Sequence, residues 1–233
     1  MSLNLRGAWA ILTNELARFF RTVFGSILSP VLTTSLYLVV FGAAIGSKMD
    51  PSQIDGSSYG AFIVPGLIML TLLSAPVGTA ETLIGFVGAA ALKSLIIAAI
   101  ILATATLYVD YSIVHPVLAA GYIVLVAAAF SLFGFILGIW ADGFEKLSII
   151  PMLILTPLTF LGGTFYSIEQ LAEPWQTIAQ LNPVFYLING LRWTFMGKAD
   201  VSIGLAFGLT MAFVVLCVAV VAIIFKTGWR LRG

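Results

Sequence analysis

Charge is what this sequence has least of: Asp, Glu, Lys and Arg make up 9% of its 233 residues, against about 25% in a soluble domain. So few charges cannot cover a water-exposed surface, and an ordinary soluble fold is excluded. Cysteine occurs once, at Cys217 inside the last apolar run, so no intrachain disulfide can form. Histidine also occurs once, at His115. That excludes histidine clusters, H-E-x-x-H zinc chemistry and paired haem ligands, and leaves His115 as an interfacial residue of an external turn beside Pro116. No G-x-x-x-x-G-K-[ST] run is present, so nothing here would cradle the phosphates of a nucleotide. The long apolar runs hold no Asp or Glu, and Lys93 is the only Lys or Arg within them. An ion-coupled carrier keeps acids or bases near the membrane midplane, where they are costly and functional, so that class is weakened. A carrier of this kind would have to depend on Lys93. No tandem repeat, low-complexity tract or soluble domain is found, and one membrane domain accounts for residues 1–233. A net charge of +1 says nothing about nucleic acid, and no nucleic-acid partner is expected.

What remains is apolar: 61% of the residues are hydrophobic. A helix needs about 20 apolar residues to cross a hydrocarbon core of about 30 Å, and several charge-free runs reach that length. Backbone groups in lipid must be satisfied internally, which leaves helices or a closed barrel, and the runs lack the alternation of barrel strands. The expected fold is an all-α polytopic bundle with crossings at 22–47, 59–80, 83–109, 116–140, 148–166 and 201–225. The first run is far longer than the 7–15 apolar residues of a signal-peptide core, so it reads as a retained crossing.

With six crossings both termini share a side. Arg6, Arg18, Arg21, Lys146, Lys226, Arg230 and Arg232 fall on it, whereas Lys48, Arg192 and Lys198 fall opposite. Lys and Arg are retained in the cytoplasm, so both termini are expected there, in a multi-pass protein of the inner (plasma) membrane.

Two segments outside the crossings carry patterns of their own. In residues 1–21, Leu5, Trp9, Leu12, Leu16 and Phe19 recur at spacings of three and four, with Arg6, Thr13, Arg18 and Arg21 largely elsewhere. This predicts an amphipathic helix lying among cytoplasmic headgroups, in contact with membrane lipid. Residues 167–200 are too polar at their start for a crossing and too apolar for an ordinary loop. Ile168, Leu171, Trp175 and Ile178 form a helical stripe, Asn182-Pro183 breaks it, and an apolar piece from Val184 to Met196 follows with Arg192 inside it. Two short helices forming an external re-entrant hairpin would explain both halves, provided protein faces the break.

The run Phe160-Leu-Gly-Gly-Thr-Phe-Tyr166, then Ile168 to Trp175, then Leu181-Asn-Pro-Val-Phe-Tyr186 and Arg192, resembles the permease subunits of type-2 ATP-binding-cassette (ABC) exporters. Val64-Pro-Gly-Leu67 and Val87-Gly-Ala-Ala-Ala-Leu-Lys-Ser94 extend the resemblance over most of the chain. It implies six crossings, cytoplasmic termini and a homodimer or paired permease. Two separate ATPase subunits would bind ATP and magnesium, and the permease itself would hold no cofactor. Family substrates are amphiphiles such as drugs, lipids and glycans.

One departure concerns the second crossing. Family members carry a further segment between the positions matching Leu73 and Ser74: the rest of the second crossing, a cytoplasmic coupling helix and the approach to the third. A turn at Ser74-Ala-Pro-Val-Gly78 leaves Tyr59 to Leu73 for this crossing, about 22 Å at 1.5 Å per residue and short of a bilayer. A turn at Ala80-Glu81-Thr82 restores the length, but puts Pro76 and Gly78 inside the helix and leaves no cytoplasmic loop.

Candidate site residues follow from these features. Asn182-Pro183, with Tyr186 close behind, sets the angle between the short helices or lines an exit path. Arg192 pairs with Glu169 or Glu173 of the hairpin or neutralises an anionic headgroup. Lys93 snorkels its long stem to the cytoplasmic headgroups, or acts in gating or at the edge of the missing loop. Asp142, Glu145 and Lys146 form a cytoplasmic turn that is either solvated or in contact with an ATPase. Gly42/Gly46, Gly134/Gly138 and Gly204/Gly208 each form G-x-x-x-G, a spacing that lets helices approach closely. The function expected is the membrane subunit of an ATP-driven exporter, with no covalent chemistry of its own. The alternative is a transport-deficient permease-derived scaffold lacking the coupling helix.

Overall fold

The computed structural model describes residues 5–22, 24–46, 58–73, 83–141, 149 and 151–227, and among these there is no strand. Helix α1 spans Leu5–Arg21. A π-helical turn at Phe24–Leu28 leads into α2, Ser29–Ala44, with Pro30 in its first turn. Helices α3, Tyr59–Leu73, α4, Leu83–Ala105, and α5, Pro116–Trp140, follow. A second π turn, Pro151–Leu155, runs into the short α6, Thr156–Leu161. Then come α7, Glu173–Leu181, α8, Pro183–Met196, and α9, Ile203–Thr227.

Among the described residues, four stretches are long and apolar enough to cross a membrane: Phe24–Gly42, Val87–Ala105, Pro116–Trp140 and Ile203–Thr227. Two shorter apolar helices, Tyr59–Leu70 and Met152–Leu161, stand where the second and fifth crossings were expected. The protein is therefore a polytopic helical membrane protein. The third crossing, expected to reach 109, is helical to Ala105 and then turns. The fifth, expected over 148–166, ends at Leu161 because Gly162 leaves helical geometry and Gly163 takes φ +83°, a conformation that glycine adopts without a Cβ clash. The second is helical to Leu73; the remainder of the 59–80 span, the Ser74–Thr82 turns, and Asp142, Glu145 and Lys146 lie outside the described residues.

Helix α3 occupies the middle. Every residue from Tyr59 to Met69 is buried, as a helix apolar on all sides must be, and α2, α4, α5, α6 and α8 pack around it. The outer helices show the reverse. Leu32, Leu36 and Val39 on α2, and Leu205, Val215 and Leu216 on α9, are exposed. Apolar faces this continuous are incompatible with water and are natural against lipid tails.

Helix α1 lies along α4. Phe19 is buried, and Leu12 and Leu16 are half-buried. Leu12 Cδ1 lies 3.5 Å from where a Cβ on Gly88 would stand. The apolar stripe divides, however: Trp9 is 67% exposed and points away from the bundle, where an amphipathic indole suits a headgroup layer.

Candidate functional site: the hairpin and its buried arginine

Local sequence accounts for α8 from end to end. Asn182 adopts an extended backbone, and its Oδ1 accepts a 3.0 Å hydrogen bond from Val184 N–H, a side-chain N-cap. Pro183 follows at the first helical position, where no N–H is needed. Gly197, at φ +74°, closes the helix, and its N–H donates to Trp193 O. The Asn182 side chain also ties α8 to α6, its Nδ2 donating to Leu158 O at 2.6 Å. Tyr186 Oη donates to Gln180 O at 2.8 Å, joining α8 to α7 across the break. The expected stripe on the first short helix is only partly inward: Ile168 is buried, but Trp175 and Ile178 are exposed.

Along α8, nearly everything from Val184 to Phe195 is buried, Arg192 included. Arg192 is 2% exposed. A guanidinium keeps its charge in proteins, so it must find electrostatic partners. Its partner is Asp200, at 3.6 Å between Nη1 and Oδ2, rather than the expected Glu169 or Glu173. The reason is position: Asp200 is held at the base of the hairpin beside α8, whereas Glu169 and Glu173 are exposed on its outer side. Arg192 Nη2 also donates to Gly163 O, and the guanidinium carbon stands 3.9 Å above the Phe62 ring, a cation–π contact. Nε and Nη1 have no hydrogen-bond partner among the described residues.

Asp200 organises this end of the molecule. Its Oδ1 accepts from Ser167 Oγ at 2.8 Å and its Oδ2 from Ile168 N–H at 3.1 Å, while its own N–H donates to Asn189 Oδ1 at 3.0 Å. One carboxylate thus clasps the start and the end of residues 167–200. Tyr59 of α3 donates to Phe165 O at 2.7 Å, and Gly66 of α3 lies against Thr164. The α4–α5 connection joins in: Val114 and His115 N–H donate to Phe195 O and Thr194 O, and His115 stacks on Trp193 with centroids 4.5 Å apart. His115 is therefore a packing residue.

Beneath the hairpin, Pro183 and Tyr186 help to line a cavity of about 440 Å³ bounded by α5, α6, α7, α8 and α9. Asn182, Pro183, Tyr186 and Arg192 therefore cluster at one end of the fold, and Lys93 stands apart from them. Lys93 is buried, and its Nζ forms a 2.5 Å ion pair with Glu15 of α1, which also holds Arg18 at 2.9 Å. Glu15 carries no motif; its one sequence signal is an acid on the α1 face that turns inward. Lys93 does not snorkel, because α1 covers it and brings a carboxylate. Glu15→Gln should cost about 1–2 kcal/mol, between the values for exposed and fully buried pairs. Thermal unfolding in detergent measures it. The charge-exchanged pair Glu15→Lys with Lys93→Glu should recover most of the loss, and an exchange no better than the single change would show that no pairing energy is at stake.

A family profile described as ABC-2 type transporter matches residues 68–196, which include both short helices of the hairpin and Arg192 but stop before Asp200. The chain belongs to this family. The inner membrane transport permease YadH of Escherichia coli K12 is 35% identical, with 91% of this chain and 90% of YadH aligned. Nodulation protein J of Rhizobium leguminosarum bv. viciae is 25% identical over 83% of this chain and 82% of its own length. Nodulation protein J of Rhizobium meliloti is 26% identical over 84% and 83%. The ABC-2 protein is accordingly a transporter membrane subunit and a multi-pass inner membrane protein, and permeases of its family work with an ATPase subunit. The YadH alignment runs to 235 positions although only 91% of this 233-residue ABC-2 chain enters it, so YadH carries residues with no counterpart here.

Proposed function

We propose that this chain is the permease of an ABC exporter, moving an amphiphile out of the cytoplasm on energy from separate ATPase subunits. In this reading it makes six crossings, with both termini cytoplasmic and the α7–α8 hairpin re-entering from the outer side. A second permease copy pairs with it, and Asp142, Glu145 and Lys146 face the ATPase. The observation that carries the reading is the attachment of α3. Along its first half Tyr59, Phe62 and Gly66 hold the Phe165 carbonyl, the Arg192 guanidinium and Thr164; beyond them it is helical as far as Leu73, ahead of the segment where the family places its coupling helix. A tilt imposed by an ATPase at the Leu73 end reaches the hairpin through one buried helix. Packed elements transmit displacement in this way because their cores do not deform continuously.

Co-expression with an ATP-binding-cassette ATPase tests it. The full chain should co-purify with the ATPase and support amphiphile-stimulated ATP turnover in proteoliposomes. Failure to form the complex, together with no transport-linked turnover, would sink the reading. A second reading, a permease-derived scaffold that inserts but does not transport, is favoured by the residues YadH has in excess. It expects ATPase binding only after a family-type segment is inserted behind Leu73.

A further inference from the structure

The cavity under the hairpin has a lining of one chemical kind. Among its lining residues none is charged, and the polar side chains are Gln180 and Tyr186. Its floor is an aromatic cluster: Phe130, Phe133 and Phe213 have ring centroids 5.3 to 6.2 Å apart. Its rim includes Leu181, Ile154 and Leu209, all exposed, and Leu209 continues the lipid-facing surface of α9. The cavity therefore opens sideways towards hydrocarbon. Its ceiling is set by the hairpin break, because Pro183 lines it and Asn182 is tied to Leu158 O.

We propose that this cavity holds the alkyl chain of a membrane-resident amphiphile, which enters sideways past Ile154 and Leu209 and leaves its polar head at the Gln180–Tyr186 rim. The inference rests on the permease reading and gives the hydrocarbon part of its amphiphile a site. Desolvation favours this occupant. A glycan or a cation would surrender its water to a chamber with two polar side chains, at several kcal/mol for each unsatisfied group. An alkyl chain leaving lipid surrenders nothing of the kind, and gains contact with aromatic walls. A volume of about 440 Å³ also lies within the range of about 300–1,000 Å³ usual for small-ligand sites. Tyr186 Oη is already engaged by the Gln180 carbonyl, so the Gln180 amide is the group placed to meet the head.

The full chain in nanodiscs of phosphatidylethanolamine and phosphatidylglycerol, doped with a phospholipid bearing a diazirine near the end of one acyl chain, provides the test. After illumination, adducts mapped by mass spectrometry should concentrate on Leu158, Val184 and Leu187, above the level on Leu36 of the lipid-facing α2. Leu187→Trp fills the cavity and should cut the cavity adducts by about tenfold, equivalent to about 1.4 kcal/mol of lost occupancy, with Leu36 labelling unchanged. Leu187 is buried and this variant could misfold, so Leu209→Trp, at the exposed mouth, supplies a second obstruction without disturbing the core. Cavity labelling no higher than at Leu36, or labelling unmoved by Leu209→Trp in a folded protein, means annular lipid only and overturns the proposal. The measurement needs no ATPase. An unlabelled cavity in a chain that couples to an ATPase defeats the site alone, and a labelled cavity in a chain that binds none defeats the permease reading alone.

Discussion

Asp200→Ala should lower stability by about 3–5 kcal/mol, the cost typical of removing one partner from a buried ion pair. The substitution strands the Arg192 charge in a site 2% exposed, with Phe62 and one carbonyl left as company. It also frees Ser167 Oγ and Ile168 N–H, which the carboxylate holds at the opposite end of the hairpin. Thermal or denaturant unfolding in detergent should show the loss, and limited proteolysis should begin within residues 162–202. Asp200→Asn keeps only one of the two acceptor oxygens that Ser167 and Ile168 use, and loses the charge, but leaves a polar group in place, so it should fall between. The double change Asp200→Ala with Arg192→Met should be more stable than Asp200→Ala alone, since no buried charge then lacks a partner. A double variant as unstable as the single one would mean that the hydrogen bonds of Asp200, and not the charge pair, hold the hairpin.

Gly66→Ala is the second substitution with a large expected effect, about 1–3 kcal/mol of destabilisation by overpacking. A Cβ at this position would stand 2.8 Å from Thr164 Cα and 2.5 Å from Thr164 Cγ2. The nearer atom belongs to a small side chain, but the other is backbone, so rotamer changes cannot clear the space. Thr164→Ala should therefore rescue Gly66→Ala only in part. Gly208→Ala is the control: nothing lies within 4 Å of its Cβ position, so its effect should stay within about 0.5 kcal/mol. If α3 transmits motion to the hairpin as proposed, Gly66→Ala should also reduce transport-coupled ATP turnover in protein that remains folded, whereas Gly208→Ala should not. Equal unfolding temperatures for the two variants would refute the close α3–hairpin approach.

These two positions show how differently the site was readable. The helix carrying Arg192 is written in local code: an asparagine cap, a proline at the first position and a glycine at the close need no distant partner to act. The break at Asn182-Pro183 was legible for that reason, and so was the amphipathic character of α1. Glycine spacing was a weaker guide. Gly204 and Gly208 satisfy G-x-x-x-G yet have nothing within 4 Å, while Gly66 and Gly190, which belong to no such pair, are those pressed against Thr164 and Tyr122. A spacing rule states which residues share a face, and leaves open what stands opposite.

The ion pairs follow the same logic. Arg192 and Lys93 drew notice because a charge in an apolar run is expensive wherever it lies. Their partners did not, because Asp200 and Glu15 lie in polar surroundings where an acid is ordinary. Glu169 and Glu173 were equally plausible for Arg192 along the chain. The direction of α8 and the path of the 197–202 connection selected Asp200.

Composition and the length of the apolar runs, taken alone, determined that this is a helical membrane protein. Hydrocarbon demands that backbone groups be satisfied within each segment, and that demand is met residue by residue in order along the chain. Tertiary structure decided the rest. It made α3 the enclosed helix, gave Arg192 to Asp200 and Lys93 to Glu15, and left an apolar cavity beneath the hairpin. Each of these depends on which faces meet across the bundle, and helices that are apolar on every side carry almost no record of that in their own sequence.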